Sequence, residues 1–396
     1  MIGTGVSAGA DGGGTDGAST DGASGAGPTN SLADIAGLRA GHASRTGDGW
    51  LTGTTVVVCD GDGAVAGADV RGGGPGTRET DLLDPRAMVQ RVHAIVLGGG
   101  SAFGLAAADG VMNRLAGDGR GFRISAGSAP PVVVPIVPAA ILFDLGRGGD
   151  PGCRPDAEFG ARAYDDALRA AMTPGAPALV AVPAGNVGAG TGALAGGLKG
   201  GIGSASALVS GSGVAGTVAA LVAVNARGST VDPGSGSLYG AAFGLPGEFD
   251  WLRPPEAGDL RAATATPGLL SELPARPLNT TIGVVATDVP LTKAQCAKIA
   301  AVAHDGMARA IRPSHLMSDG DTVFGLSTGR AAAGGEPAGG ADHALFNEIL
   351  IAAADCFCRA VVRAMLSART VTTPAGTWRS YLDVFPSATG SPGAGD

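Results

Sequence analysis

The sequence predicts one layered α/β domain, and three observations carry this prediction. Apolar runs of strand length alternate with longer runs that have helical periodicity. No clean linker divides the ordered part of the chain into two units. The 396 residues are 44% hydrophobic and include 70 glycines, but only 4% are aromatic, so small aliphatic side chains are expected to form the core.

The two ends of the chain differ in composition from the part between them. The first 30 residues contain ten glycines and three aspartates but no Lys or Arg, so they bury too little apolar surface to offset their ordering entropy. We predict disordered tails over residues 1–30 and 387–396 and a single domain over residues 31–386. Two stretches rich in Pro and Ala or in Gly and Ala, 253–277 and 330–340, are expected to interrupt the ordered structure, and the first is predicted to be an exposed linker that leads to the proposed cleavage point.

Short apolar runs predict buried strands, and longer periodic runs predict helices. The helix that follows Pro290 begins with Thr292 and Gln295, which have the spacing of a capping box. The last helix is apolar on nearly every face, so we expect it to pack between layers. In chain order, the predictions are strand 54–58, helix 84–91, strand 93–97, helix 101–115, strand 131–137, helix 156–171, strands 179–182, 218–224 and 281–286, helix 292–311, strand 322–327 and helix 341–366.

Charge and cysteine content exclude several functional classes. A formal net charge of −8 and an isoelectric point near 5.1 argue against nucleic acid as a partner. The five cysteines lack C-x-x-C spacing, so neither a disulfide framework nor a zinc site is predicted. No apolar run approaches the roughly 18–20 residues that span a membrane, and the start lacks the pattern of a signal peptide. We therefore expect a cytoplasmic protein that binds no membrane.

The junction between Asn279 and Thr280 is the most informative feature of the chain, because it stands at the head of a strongly apolar strand. Cleavage before Thr280 would give one residue both a hydroxyl nucleophile and a free amine. An α-amino group titrates at roughly 7.7–8.0, which suits it as the base that activates a threonine hydroxyl. The alternative interpretation is that Thr280 and Thr281 only open a β-strand, which β-branched residues favour.

Four other polar residues stand in apolar or Gly-rich surroundings. Lys199 is the only charge in a run of glycines, Asn225 ends an apolar strand, and Asp319 and Asp321 precede another apolar strand. Taken singly, each has a structural explanation as a loop charge, a strand cap or a turn. Together with Thr280 they supply a nucleophile, an oxyanion donor and charges that tune them, which favours a hydrolytic site.

Three other motif matches are weak. The run Gly98-Gly-Gly100-Ser-Ala-Phe-Gly104 lacks G-x-G-x-x-G spacing, so a tight strand-to-helix turn is favoured over a dinucleotide site. The G-x-S-x-G match at Ser327 has no helix directly after it, and the Asp-Gly-Asp of 319–321 fails the calcium-loop pattern. Two rival classes nevertheless stay open: a nucleotide-binding oxidoreductase and a non-catalytic small-molecule-binding protein.

The chain from about residue 31 to residue 386 resembles the self-processing aminopeptidases. This family includes the L-aminopeptidase/D-amidase/D-esterase, the β-peptidyl aminopeptidases and the 6-aminohexanoate-oligomer (nylon oligomer) hydrolases. The resemblance rests on the phrases Gly41-His-Ala43, Gly98-Gly-Gly-Ser-Ala-Phe-Gly-Leu105, Val134-Pro-Ile-Val-Pro-Ala-Ala140, Gly185-Asn-Val-Gly-Ala-Gly-Thr-Gly192, Leu198-Lys-Gly-Gly-Ile-Gly-Ser204, Leu221-Val-Ala-Val-Asn-Ala226, Asn279-Thr-Thr-Ile-Gly-Val-Val-Ala-Thr-Asp288, Ala303-His-Asp-Gly-Met307 and Ser318-Asp-Gly-Asp-Thr-Val-Phe324.

The resemblance implies a four-layer αββα sandwich similar to that of N-terminal-nucleophile hydrolases, with a different connectivity. It implies autocleavage between Asn279 and Thr280 into residues 1–279 and 280–396, and an assembly of several cleaved heterodimers, expected to be a tetramer. It also implies hydrolysis of a small amide or peptide substrate without a metal or organic cofactor.

Residue by residue, the resemblance places Thr280 on the family nucleophile and Asn225 on the oxyanion-stabilising asparagine. Lys199, Asp319 and Asp321 match the lysine and paired aspartates of the oligomer-hydrolase branch, so endo-type cleavage of 6-aminohexanoate oligomers is the favoured activity. Lys199 is expected to interact with both aspartates. Release of N-terminal D-, β- or small L-amino acids is the alternative. The tyrosine that some members use as a second oxyanion donor is absent near Phe143, where no hydroxyl is available.

Overall fold

The computed structural model describes residues 25–124, 132–172, 179–211, 213–270, 278–331 and 340–389. Its α-helices are α1 (Ala107–Gly117), α2 (Ala157–Met172), α3 (Ala257–Ala265), α4 (Lys293–Ala310), α5 (His343–Ser367) and α6 (Tyr381–Val384). Its strands are β1 (Leu38–Gly47), β2 (Trp50–Cys59), β3 (Ala64–Val70), β4 (Thr77–Arg78), β5 (Arg91–Val92), β6 (Ala94–Gly98), β7 (Phe122–Ile124), β8 (Val132–Val134), β9 (Ala139–Ile141), β10 (Leu194–Ala195), β11 (Leu198–Lys199), β12 (Gly201–Gly211), β13 (Val214–Val224), β14 (Ile282–Thr287), β15 (Thr322–Ser327), β16 (Val371–Thr373) and β17 (Gly376–Trp378).

Two sheets form the centre of the molecule. One has five strands in the order β1-β2-β6-β9-β4, and the other has six in the order β12-β13-β14-β15-β3-β5. Most neighbours are antiparallel, but β6 and β9 run parallel in the five-stranded sheet, and β14 and β15 run parallel in the six-stranded sheet. Because β13 is antiparallel to β14, the end of β13 and the starts of β14 and β15 lie at one edge of the six-stranded sheet.

The two sheets pack face to face, and helices cover both outer faces. Val57 and Leu97 of the five-stranded sheet contribute to one buried cluster with Leu221, Val284 and Leu326 of the six-stranded sheet. Helices α1 and α2 cover the five-stranded sheet, and α4 and α5 cover the six-stranded sheet. The αββα sandwich is therefore confirmed. Helix α5 lies in an outer layer rather than between layers, although most of its residues from Ala352 onward are buried.

Glycines allow the helical layer to approach the six-stranded sheet closely. A Cβ on Gly203 of β12 would overlap the backbone of Ala360 in α5, and one on Gly67 of β3 would overlap the backbone of Ala297 in α4. The high glycine content thus has a packing role in addition to its role in turns.

Most predicted long elements are confirmed, whereas the predicted helix at 84–91 is wrong. That segment consists of turns around the Lys293 ammonium, which donates hydrogen bonds to the carbonyls of Leu82, Asp84, Ala87 and Val89 at 2.7–3.2 Å. Carbonyls that converge on one cation are not available for a regular i to i+4 ladder.

The predictions at 131–137, 179–182 and 253–277 also need correction. Among the described residues of the first, 132–137, the strand is Val132–Val134, and it is a partly exposed hairpin arm rather than a buried strand. Residues 179–182 form no strand, and the described part of the stretch 253–277, residues 253–270, contains helix α3. Residues 271–277, and 332–339 of the stretch at 330–340, lie outside the described residues. Apolar character alone did not distinguish exposed from buried segments here.

Residues just outside the predicted domain of 31–386 also form hydrogen bonds to it. The Asn30 Oδ1 atom accepts hydrogen bonds from Arg359 Nη2 (2.8 Å) and from the Ser206 N–H (3.0 Å). At the other end, the Ser387 N–H donates to Asp259 Oδ2 (3.0 Å). The rest of the predicted tails, 1–24 and 390–396, lies outside the described residues. Among the described helices, none is both long and apolar enough to cross a membrane.

Candidate active site

Three of the predicted site residues meet at one edge of the six-stranded sheet. Asn225 directly follows β13, Thr280 lies two residues before β14, and Asp321 directly precedes β15. The antiparallel β13/β14 pair and the parallel β14/β15 pair bring these three positions together. Residues that are 55 (280 − 225) and 41 (321 − 280) positions apart in the sequence therefore form one buried cluster because of the strand directions.

The Thr280 hydroxyl is buried and held by two groups. The Gly320 N–H donates to Thr280 Oγ1 at 3.1 Å, and the hydroxyl donates to the carbonyl oxygen of Asn279. A Cβ on residue 320 would lie 2.8 Å from Thr280 Oγ1, so glycine at this position leaves room for the hydroxyl. The nucleophile candidate therefore lies against the carbonyl of the bond that self-cleavage would break.

The backbone on either side of this bond is fixed by the neighbouring strands. The Thr280 N–H donates to the Asn225 carbonyl oxygen at 2.6 Å, and the Thr281 N–H donates to Asp321 Oδ1 at 2.8 Å. The Asn279 N–H donates to the Ser318 carbonyl oxygen at 3.2 Å. The junction is thus held in place from both sides.

Hydrogen bonds orient the side-chain amide of Asn225. Its Oδ1 atom accepts from Arg147 Nη1 (2.5 Å) and from the Leu194 N–H (3.0 Å). Its Nδ2 atom donates to the Phe143 carbonyl oxygen at 3.2 Å. With two donors on Oδ1, the NH₂ group is the end of the amide that donates, and its described acceptor is the Phe143 carbonyl oxygen.

Arg147 is a site residue that the sequence reasoning missed. Its buried guanidinium joins Asn225 Oδ1 to the Gly192 carbonyl oxygen (2.7 Å) and to Asn279 Oδ1 (2.8 Å). One available signal was that Arg147, like Lys199, is a lone cation in a Gly-rich run. The residue therefore links the oxyanion candidate to the residue before the junction.

The two aspartates lie in the loop before β15 and have different surroundings. Asp321 accepts from Thr281 through Oδ1 and from His315 through Oδ2, with 2.8 Å to His315 Nδ1. Asp319 accepts from the Leu316 N–H at 3.1 Å. The pKa of Asp319 is raised to about 6, mainly by burial and to a smaller extent by the neighbouring Asp321 carboxylate. His315, which the sequence reasoning did not select, fixes the orientation of Asp321.

Lys199 does not contact Asp319 or Asp321, so that expected interaction is absent from the described structure. Its ammonium instead donates to the carbonyl oxygens of Gly190 (2.9 Å), Ala193 (3.0 Å) and Gly200 (2.8 Å). Three carbonyls account for all three of its protons. Lys199 thus stabilises the turn whose Leu194 N–H holds Asn225.

Burial changes the protonation chemistry of Lys199. The pKa of Lys199 is lowered to about 7, mainly by burial and to a smaller extent by the positive charge of Arg147. The Asp144 carboxylate opposes this shift. Asp144 itself accepts from the Gly100 N–H at 2.6 Å, and burial raises the pKa of its carboxyl group. The Gly-rich turn after β6 therefore binds an internal carboxylate, which argues against its use as a pyrophosphate site.

We expect the stability contributed by Lys199 to rise with pH. Between its folded pKa of about 7 and its ordinary value of 10.5, the unfolded chain binds a proton that the folded chain has released, so unfolding becomes less favourable as pH increases. The free energy of unfolding of the Thr280→Ala protein should therefore rise relative to that of Thr280→Ala/Lys199→Met between pH 7 and 10. Denaturant titrations at three pH values measure this difference, and a gap that stays constant or shrinks would contradict the assignment.

A cavity of about 270 Å³ adjoins the junction on the Asn279 side. Its described lining combines apolar side chains with two arginines, Arg147 and Arg379, and includes no carboxylate. Leu194, Leu269 and Trp378 supply the apolar part of the wall. The cavity therefore offers space and positive charge next to Asn279.

The αββα sandwich also occurs in solved aminopeptidase structures. A β-aminopeptidase of Burkholderia sp. has the same fold with a TM-score of 0.65 and 22% identity, over 93% of this chain and 97% of that one. An L-aminopeptidase D-Ala-esterase/amidase of Ochrobactrum anthropi, described as a variant of the Ntn-hydrolase fold, matches with a TM-score of 0.65 and 21% identity. The match covers 90% of this chain and 92% of that one. These likenesses show the fold.

Sequence comparison gives the family. The sequence model of peptidase family S58 matches residues 30–379. The chain therefore belongs to this family of peptide and amide hydrolases. A protein of Mycobacterium bovis described as an uncharacterized aminopeptidase is 46% identical over 374 residues, 91% of this chain and 100% of that protein. A counterpart from Mycobacterium leprae is 47% identical over 377 residues, 92% and 97% of the two chains.

Proposed function

We propose that the chain cuts itself between Asn279 and Thr280 and then acts as an aminopeptidase-type amide hydrolase with Thr280 as nucleophile. The observation that carries this proposal is the position of Thr280 Oγ1 against the Asn279 carbonyl, with the Gly320 N–H on its other side. Membership of a peptidase family and the aminopeptidase names of the relatives support the same reaction class.

Self-cleavage begins when Thr280 Oγ1 attacks the carbonyl carbon of Asn279. The Oγ–C bond forms, the C–N bond breaks, and the hydroxyl proton is transferred to the Thr280 nitrogen, which leaves an ester and a free amine. Water then hydrolyses the ester, giving the Asn279 carboxylate and the Thr280 hydroxyl. The hydrogen bond that holds the Thr280 N–H to Asn225 keeps the departing nitrogen in place.

Turnover repeats this chemistry on a substrate amide. Thr280 Oγ1 attacks the substrate carbonyl while the new α-amine accepts the hydroxyl proton, and the proton then passes to the leaving amine. The NH₂ group of Asn225 donates to the oxyanion as charge develops. Water attacks the resulting ester, releases the acid and restores the hydroxyl.

Asp319 and Asp321 support the aminopeptidase form of the reaction. Neither carboxylate is neutralised by Lys199, whose protons go to carbonyl oxygens. An opposite charge favours the ionised form of a carboxyl group, so an ammonium near Asp319 would shift its raised pKa back down. The pair is therefore suited to hold the ammonium of Thr280 or of a substrate with a free N-terminus.

Endo-type hydrolysis of 6-aminohexanoate oligomers is the second candidate. The combination of Thr280, Lys199, Asp319 and Asp321, which resembles that branch, supports it, as do the apolar walls of the cavity beside Asn279. This activity would leave the substrate's free ammonium without a required role.

Acetylation of the substrate amine separates the two candidates. We expect the processed protein to release amino acids from p-nitroanilides and to lose this activity when the amino group is acetylated, because the carboxylates then have no ammonium to bind. The measurement is the rate of p-nitroaniline release beside the rate of cleavage of an acetylated 6-aminohexanoate oligomer. Cleavage of the capped oligomer, without hydrolysis of the free aminoacyl anilides, would move the assignment to the endo-type hydrolase.

A further inference from the structure

The side chain of Asn279 occupies a position that a substrate side chain would later take. In self-cleavage, the Asn279 carbonyl is the group that Thr280 attacks, so Asn279 is the acyl residue of the first reaction. In turnover the substrate supplies the acyl residue to the same nucleophile. The surroundings of the Asn279 side chain in the uncut chain therefore describe an acyl-side-chain subsite, and this step rests on the proposed function.

The polar end of this subsite is Arg147. Its Nη2 donates to Asn279 Oδ1 at 2.8 Å, and the guanidinium is buried. Arg147 is fixed by its bonds to Asn225 and Gly192, so it stays in place when the cut end at Asn279 withdraws. The Nη2 atom that donates to Asn279 Oδ1 can donate in the same way to an oxygen at the matching position of a substrate side chain.

The charge of the cavity beside Asn279 also favours substrate side chains that carry an acceptor oxygen. Arg147 and Arg379 are the charged residues in its described lining, whereas the buried Asp144 carboxylate, which also interacts with Arg147, lies outside that lining. A carboxylate forms a stronger, charge-assisted hydrogen bond to a guanidinium than an amide oxygen does. We propose that Arg147 selects substrates whose acyl residue is aspartyl or asparaginyl, in which a side-chain oxygen takes the place of Asn279 Oδ1.

A panel of aminoacyl p-nitroanilides tests the subsite on the processed wild-type protein. Leucine is the matched control, because its side chain has nearly the shape of asparagine but no acceptor oxygen. We expect kcat/KM for the aspartyl and asparaginyl substrates to exceed that for the leucyl substrate by about tenfold or more. Arg147→Met should bring the Asn/Leu ratio close to one, whatever its effect on the absolute rate. A leucyl substrate that is equal or better with wild-type protein overturns the proposal.

Self-cleavage provides a second test, which does not depend on added substrate. Asn279→Asp should cleave at a rate near that of the wild type, whereas Asn279→Leu should cleave about tenfold more slowly or worse. The melting temperatures of the same variants in the Thr280→Ala background show whether folding is affected. Equal rates for the two variants overturn the subsite even if turnover is normal. Normal selectivity in self-cleavage with no anilide hydrolysed would refute the proposed turnover and keep the subsite.

Discussion

Thr280→Ala is expected to yield a single uncut chain with no measurable turnover. The variant lacks the hydroxyl that lies against the Asn279 carbonyl, so neither the ester nor the free amine of residue 280 is formed. Loss of an activated nucleophile lowers kcat on the order of 10⁴-fold or more. Intact-mass measurement should show one species for the variant, and two fragments, residues 1–279 and 280–396, for the wild type.

Two control variants make this result specific. Thr280→Ser keeps the hydroxyl and should still be cut. Thr281→Val removes a buried hydroxyl that has no hydrogen-bond partner among the described residues, while it keeps the backbone N–H that donates to Asp321. It should be processed normally and keep its stability. Wild-type protein that is fully active but uncut would refute the N-terminal-nucleophile mechanism.

The site could be predicted in part because its members carry a signal in the local sequence. Asn225, Thr280 and Asp321 each stand at the end or start of an apolar run, and strand ends often carry functional residues. Their convergence at one edge, however, depends on β13 being antiparallel and β15 parallel to β14. Strand direction of this kind is a property of long-range topology, which the local pattern does not contain.

Lys199 and Arg147 show the limit of that reasoning. Both are lone cations among glycines, but only Lys199 was selected, and the contacts expected for it were wrong. Its three carbonyl partners, at Gly190, Ala193 and Gly200, are backbone groups of its own turn, which no residue pattern reveals. Arg147 is the cation that contacts Asn225 and Asn279 directly.

Two long strands of the six-stranded sheet that the sequence did not predict, β12 and β3, consist mainly of small residues. Strand β12 is rich in Gly, Ser and Ala, and β3 has the sequence AVAGADV, so both are poorer in β-branched and aromatic residues than typical strands. Their role follows from packing, because Gly203 and Gly67 lie directly beneath helix backbones. Tertiary packing here overrides local propensity.

Asn225→Asp is expected to reduce turnover by about 10²–10³-fold, equivalent to about 2.7–4 kcal/mol of transition-state stabilisation. The replacement keeps an oxygen that accepts from Arg147 Nη1 and from the Leu194 N–H, but it loses the donor to the Phe143 carbonyl oxygen, so the melting temperature is measured beside the activity. It removes the NH₂ group that we assign to the oxyanion. Rates of self-cleavage and of anilide hydrolysis must be measured separately, because a variant blocked in the first does not report on the second.

The matched control for this variant is Asn186→Asp. The Asn186 side chain also donates to a backbone carbonyl, that of Arg369 at 2.8 Å, and accepts from the Arg369 N–H at 3.1 Å. The same chemical change is therefore made at an amide that pairs with Arg369 instead of the site residues. We expect Asn186→Asp to process and turn over like the wild type, with a melting temperature close to that of Asn225→Asp. If Asn225→Asp kept wild-type turnover, the NH₂ group would not be the oxyanion donor; if both variants lost stability and activity together, Asn225 would have a structural role.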